Sequence, residues 1–123
     1  MMDESLFEIS ADAARPMIRY RMRGLWDESS YGRFREAMLL EMTRFHYRGE
    51  RFDLLGDLTE FPPQPRNLND AREKLVQEAR ALGLRKCGVV TGSQLVKLQL
   101  GRLSNDYYAY FASEAEALAW IDA

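Results

Sequence analysis

From Ile18 to Arg23 the chain alternates without a break, with Ile18, Tyr20 and Met22 on one side and Arg19, Arg21 and Arg23 on the other. A period of two belongs to a β-strand with one buried face and one wet face. Parallel strands covered by helices on both sides read instead as continuous apolar runs. This alternation therefore requires a sheet with a helix-covered side and an open side.

The rest of the chain supplies that sheet. Leu6 to Ser10 reads as a first strand, Phe7 and Ile9 inward. The short link Ala11 to Pro16 favours a hairpin, so the first two strands are expected to be antiparallel. After Trp26 the period changes to three and four: Tyr31, Phe34, Met38, Met42 and Phe45 form the stripe of a helix of about 18 residues. Asp27, Ser29 or Ser30 can cap its start, and Gly49 is a natural stop. Phe52 to Leu58 is a third strand. Three prolines between Phe61 and Arg66 exclude helix or central strand there. A second helix is expected from Asn67, Asn69 or Asp70, with Asp70 and Glu73 at capping-box spacing, apolar positions at Ala71, Leu75, Ala79 and Leu82, and Gly83 as its stop. Lys86 to Thr91 is a fourth strand. Ser93 to Leu103 fits strand or helix and is assigned as helix, because a parallel fifth strand needs a crossover. Tyr107 to Ala112 is that fifth strand, and Ser113 with Glu116 opens a closing helix.

The expected class is α/β, a mostly parallel five-stranded sheet in a single domain spanning residues 1–123, with all helices on one face. On the covered face fall Phe7, Ile9, Ile18, Tyr20, Met22, Phe52, Leu54, Leu58, Cys87, Val89 and Phe111. On the open face fall Glu8, Arg19, Arg21, Arg23, Asp53, Asp57, Lys86, Tyr108 and Tyr110. Two readings of the open face stand. It is a solvated surface laced with ion pairs, or it is an interaction face carried by Arg19, Arg21, Arg23, Tyr108 and Tyr110, since Arg and Tyr are enriched at interfaces. Self-association into a homodimer is the simplest form of the second.

Three features bound the partners. The net charge of −2 gives no global field to gather nucleic acid, although nine arginines and no lysine lie between Arg15 and Arg51. The single Cys87 forms no internal disulfide. No apolar run reaches the roughly 20 residues that span a bilayer, and Met-Met-Asp-Glu-Ser lacks the order of a signal peptide. A cytoplasmic protein is expected.

Chemistry-bearing residues gather at the carboxyl ends of the strands, where ligands collect in open α/β sheets. Trp26, Asp27, Asp57, Thr59, Thr91 and Ser93 form a candidate ligand rim; caps, turns and packing explain the same residues structurally. Asp27 and Asp57 are candidates for an acid–base pair without further support. Thr91-Gly92-Ser93 lacks the lysine and spacing of a P-loop. His46 suits the end of the first helix, and Cys87 a core strand position; far apart, they make neither a zinc set nor a nucleophile–base pair. No catalytic residue, metal or cofactor is expected.

The segment Phe111-Ala-Ser-Glu-Ala-Glu-Ala-Leu-Ala-Trp-Ile resembles the closing motif of the SpoIIAA-like branch of the STAS domains, as do Gly24-Leu25-Trp26-Asp27 and Asp57-Leu58 at their places in the order. The resemblance implies a right-handed βα superhelix and a non-enzymatic role, as an anti-sigma-factor antagonist or a regulatory module that binds proteins, nucleotides or lipids. Antagonists of that type carry an Asp-Ser-Ser/Thr-Gly motif, phosphorylated to break partner binding. Here the region reads Asp57-Leu-Thr-Glu-Phe-Pro-Pro-Gln-Pro-Arg, leaving Thr59 as the phosphorylation candidate.

Overall fold

Nine elements follow one another in the computed structural model, which describes residues 6–100 and 106–123, side chains 98–100 excepted. They are β1 (Phe7–Asp12), β2 (Met17–Arg23), α1 (Glu28–Tyr47), β3 (Phe52–Glu60), α2 (Arg66–Leu82), β4 (Leu84–Val90), α3 (Gln94–Leu100), β5 (Tyr108–Phe111) and α4 (Glu114–Asp122). The sheet order is β1-β2-β3-β4-β5. Only the β1–β2 pair is antiparallel; β2 through β5 are parallel. The segment after Ser93, which fitted either period, is helical, with Leu103 outside the described residues.

Local chemistry explains the boundaries. Asp27 accepts the Ser30 amide at 2.8 Å, satisfying a donor that the first turn of α1 leaves orphaned. At the C-terminal end of α2, Gly83 takes φ +117°, a left-handed cap that a side chain would strain. Ser113 accepts the Glu116 amide and starts α4. The start of α2 differs from expectation: Pro65 occupies its N-cap without a side-chain bond, so Asp70 and Glu73 lie inside the helix. Proline's fixed φ is compatible with a helix start, and α2 begins here without a side-chain cap.

The main core lies between the sheet and α1 and α2. Ile18, Tyr20 and Met22 face Tyr31, Phe34, Met38 and Met42, as the alternation requires. Two expectations are corrected. The last helix does not join the others: α4 packs on the opposite face, where Ala117 and Ile121 form a second cluster with Met17, Leu55 and Val90. Gly88 favours this approach, since a Cβ there would stand 3.3 Å from the Ala117 Cβ, a tight contact that the helix would have to yield to. The second correction is the parity of β5. Tyr108 pairs with Cys87 and Tyr110 with Val89, both on the α1–α2 side, so neither tyrosine belongs to the open face. Tyr108 is fully buried and Tyr110 packs against the core, while Phe111 turns to the α4 side and meets Trp120 at 5.5 Å. A tyrosine ring is mostly apolar and tolerates burial once its hydroxyl is served.

Candidate functional site

Because α4 covers only part of the second face, the β1–β3 portion stays open beside it. The three arginines of β2 stand there in a row of ion pairs: Arg19 with Glu114 at 3.1 Å, Arg21 with Asp57 at 3.2 Å and Arg23 with Glu8 at 3.1 Å. The Arg21–Asp57 pair is dictated by register, since the two residues sit directly opposite across β2 and β3. Arg19 and Arg21 are each 46% exposed, so these pairs are screened and contribute about 0–1 kcal/mol apiece. Between them lies a basin of about 350 Å³, lined by Glu8, Ser10, Arg19, Arg21, Leu55, Asp57, Val90 and Glu114. Of the expected interaction face, the arginines remain and the tyrosines leave.

The six residues of the expected ligand rim are each engaged in local structure. Trp26 is buried among Phe7, Phe34, Tyr31 and Phe61, its Nε1 donating to the Arg23 carbonyl at 2.8 Å. Asp27 caps α1. Thr91 is buried, and its Oγ1 accepts the Ser93 amide; Ser93 Oγ accepts the Val96 amide. Asp57 lies with Arg21 on the opposite face from the Trp26 cluster, while Asp27 is committed to the first turn of α1. Thr59 is exposed, and its hydroxyl donates to Asp57 Oδ1 at 2.7 Å. His46 sits at the end of α1 with Nδ1 3.3 Å from the Leu82 carbonyl oxygen. Among the described residues no group of three His, Cys, Asp or Glu is placed to hold a metal, and no helix is long and apolar enough to cross a membrane.

Electrostatics at these carboxylates makes a testable pH dependence. Bonds from the Ser30 amide and hydroxyl hold the Asp27 carboxyl below its ordinary value. At Asp57 partial burial pushes upward but is outweighed by the Thr59 hydroxyl and amide and by Arg21, leaving it lowered too. Glu78 is lowered chiefly by its hydrogen bonds from Arg35. A folded-state value below the unfolded one adds stability above the unfolded pKa, and that stability is lost as pH falls through the folded value. The urea midpoint should therefore hold steady down to about pH 5 and fall below about pH 4. In the double variant Asp27→Asn, Glu78→Gln the acid fall should be shallower; an unchanged slope would refute the assignment. Asparagine also caps helices, so α1 keeps its start.

Arg72 is absent from the expected set, yet it is the most unusual polar residue of the core. It is 5% exposed. Its Nη2 donates to the Tyr108 hydroxyl at 3.2 Å, its Nη1 lies 3.0 Å from Met22 Sδ, and Nε has no partner among the described residues. The signal was present in the sequence: Leu68, Arg72, Leu75 and Ala79 recur at three and four, which puts an arginine in the apolar stripe of α2.

No family model matches the sequence, and no curated protein matches it. Among solved structures, the unphosphorylated form of the anti-sigma factor antagonist SpoIIAA matches 94% of this chain and 96% of that one, with a TM-score of 0.61 and 14% identity. The fold is SpoIIAA-like. One antiparallel and four parallel strands with helices between them match that fold, which is the fold that the closing and strand-end motifs had implied.

Proposed function

We propose that this chain is a non-catalytic regulatory module of STAS type that acts by binding protein through the open β1–β3 face, with a second copy of the chain as the first partner to test. The SpoIIAA-like fold over nearly the full chain supports the regulatory reading. The observation that carries the surface is the row of exposed arginine–carboxylate pairs round the basin. Both signs of charge lie within one patch, so copies related by a two-fold axis can exchange internal pairs for pairs across the contact. A cytoplasmic setting suits this reading, since the buried Cys87 serves no disulfide.

Light scattering on a sizing column, run over a range of concentrations, tests the contact. The wild-type chain should shift from monomer toward dimer as concentration rises. Arg21→Glu should stay monomeric, because the reversed charge then repels Asp57 across the strands and the acids of the second copy. A wild-type chain that remains monomeric at the highest concentration would exclude self-association through this face. Thr59 stays the phosphorylation candidate. A phosphate there would remove the hydroxyl's donor bond and place about two negative charges beside Asp57, drawing Arg21 away from it. The Thr59→Glu variant should therefore weaken self-association where Thr59→Val does not.

A further inference from the structure

Beneath α1 and α2, on the opposite side of the sheet from the basin, lies a cavity of about 30 Å³. Its wall is mostly apolar, with Tyr20, Tyr108, Cys87 and Arg72 among the residues that line it. The guanidinium of Arg72 is charged at any pH the fold survives. Among the described residues no carboxylate is its hydrogen-bond partner, and Nε has no partner at all. A buried charge without a counter-charge is among the most costly arrangements in a core.

Among the described residues, the neighbouring groups do not supply that counter-charge. Burial raises the Tyr20 and Tyr108 hydroxyls above their ordinary range, the Tyr31 hydroxyl to about 12 and the Cys87 thiol to about 12. All four are neutral near pH 7. The ring of Phe61, 5.5 Å from the guanidinium carbon, offers only its quadrupole. Among the described residues, the pocket presents a fixed positive charge with a spare N–H donor, beside the Tyr108 hydroxyl and within an apolar wall.

We propose that the cavity beside Arg72 is a binding site for a small monovalent anion, best matched by a carboxylate of formate or acetate size. The volume sets the size limit, since one water-sized group needs roughly 10–15 Å³ of such space. A planar carboxylate also matches the guanidinium fork, and the Tyr108 hydroxyl, which accepts from Arg72, keeps its own proton to donate to it. Tyr31 lines both this cavity and an outer recess of about 200 Å³ bordered by Glu28, Asn67 and Ala71, so the Tyr31 side chain stands between the cavity and that recess. The site is independent of the open sheet face, and its failure would leave the protein-binding reading untouched.

The test uses the whole chain exchanged into a buffer whose only anion is bulky, with ionic strength held constant. Titration with sodium formate or acetate should raise Tm by several degrees and then saturate, as binding to the native state alone requires. Sulfate, too large for the cavity, should raise Tm only gradually and without saturation, by exclusion from the surface. Arg72→Met should lose the saturable rise. A second measurement needs no variant: in crystals of the wild-type chain soaked in bromide, an anomalous peak should lie within hydrogen-bond distance of Arg72 Nε. The proposal is overturned by a saturable rise that persists in Arg72→Met, by the absence of any saturable rise, or by a crystal in which Nε bonds only water or protein oxygen.

Discussion

Phe34→Ala should cost about 3–5 kcal/mol, the range for truncating a buried aromatic, and so bring a domain of ordinary stability, about 5–15 kcal/mol, close to unfolding. Phe34 is 2% exposed and stands at the centre of an aromatic cluster. Its ring meets Trp26 at 5.3 Å and Phe7 at 5.4 Å, both nearly edge-on, with Tyr20 at 5.7 Å and Tyr31 at 5.8 Å. The cluster joins β1, β2, α1 and the turn after β2, so the lost ring leaves a cavity that no single element can close. Urea denaturation should show a much lower midpoint with little change in slope. Leu40→Ala, at an exposed position of the same helix, should alter stability by no more than about 0.5 kcal/mol. A Phe34→Ala midpoint as close to wild type as that of Leu40→Ala would show that the core is held elsewhere.

Gly56→Ala comes next, with an expected loss of about 1–3 kcal/mol from overpacking. Gly56 lies opposite Tyr20 across β2 and β3, and the Tyr20 ring folds over it. A Cβ at this position would stand 2.4 Å from Tyr20 Cζ and 2.5 Å from its hydroxyl oxygen. The ring has little room to step aside, because Phe34 packs edge-on against it and Cys87 Sγ lies 3.8 Å from its hydroxyl. The clash is pairwise, and a double-mutant cycle can isolate it. Adding Tyr20→Leu to Gly56→Ala should return at least about 0.5 kcal/mol relative to the sum of the single losses. Strict additivity would mean that the methyl is accommodated by backbone movement.

Much of this architecture was legible in local patterns. The alternation of Ile18 to Arg23 and the stripe Tyr31, Phe34, Met38, Met42 and Phe45 both take the form expected of them. Asp27, Ser113 and Gly83 mark helix ends because each serves a specific backbone need. The candidate site was legible only in part. Arg19, Arg21 and Arg23 do stand on an open surface, but the rim from Trp26 to Ser93 dissolves into caps, turns and packing. Strand-end polar residues look alike whether they meet a ligand or a neighbouring amide. Arg72 shows the opposite failure, because a single cation in an apolar stripe is easily counted with the polar face beside it.

Residue order alone settles periods, and periods say which side chains share a face. Strand parity in β2 and the helical stripe of α1 are set by backbone geometry, so they survive any packing. Which face becomes covered is a different question. On β5 the choice rests on the Cys87–Tyr108 register, and on the second face it rests on α4 finding Gly88 bare. Both are contacts between residues distant in the chain, where burial of apolar area by a partner element outweighs the local pattern. The same holds for Arg72: only when α1, α2 and the sheet close around it does an ordinary helix arginine become a buried charge seeking an anion.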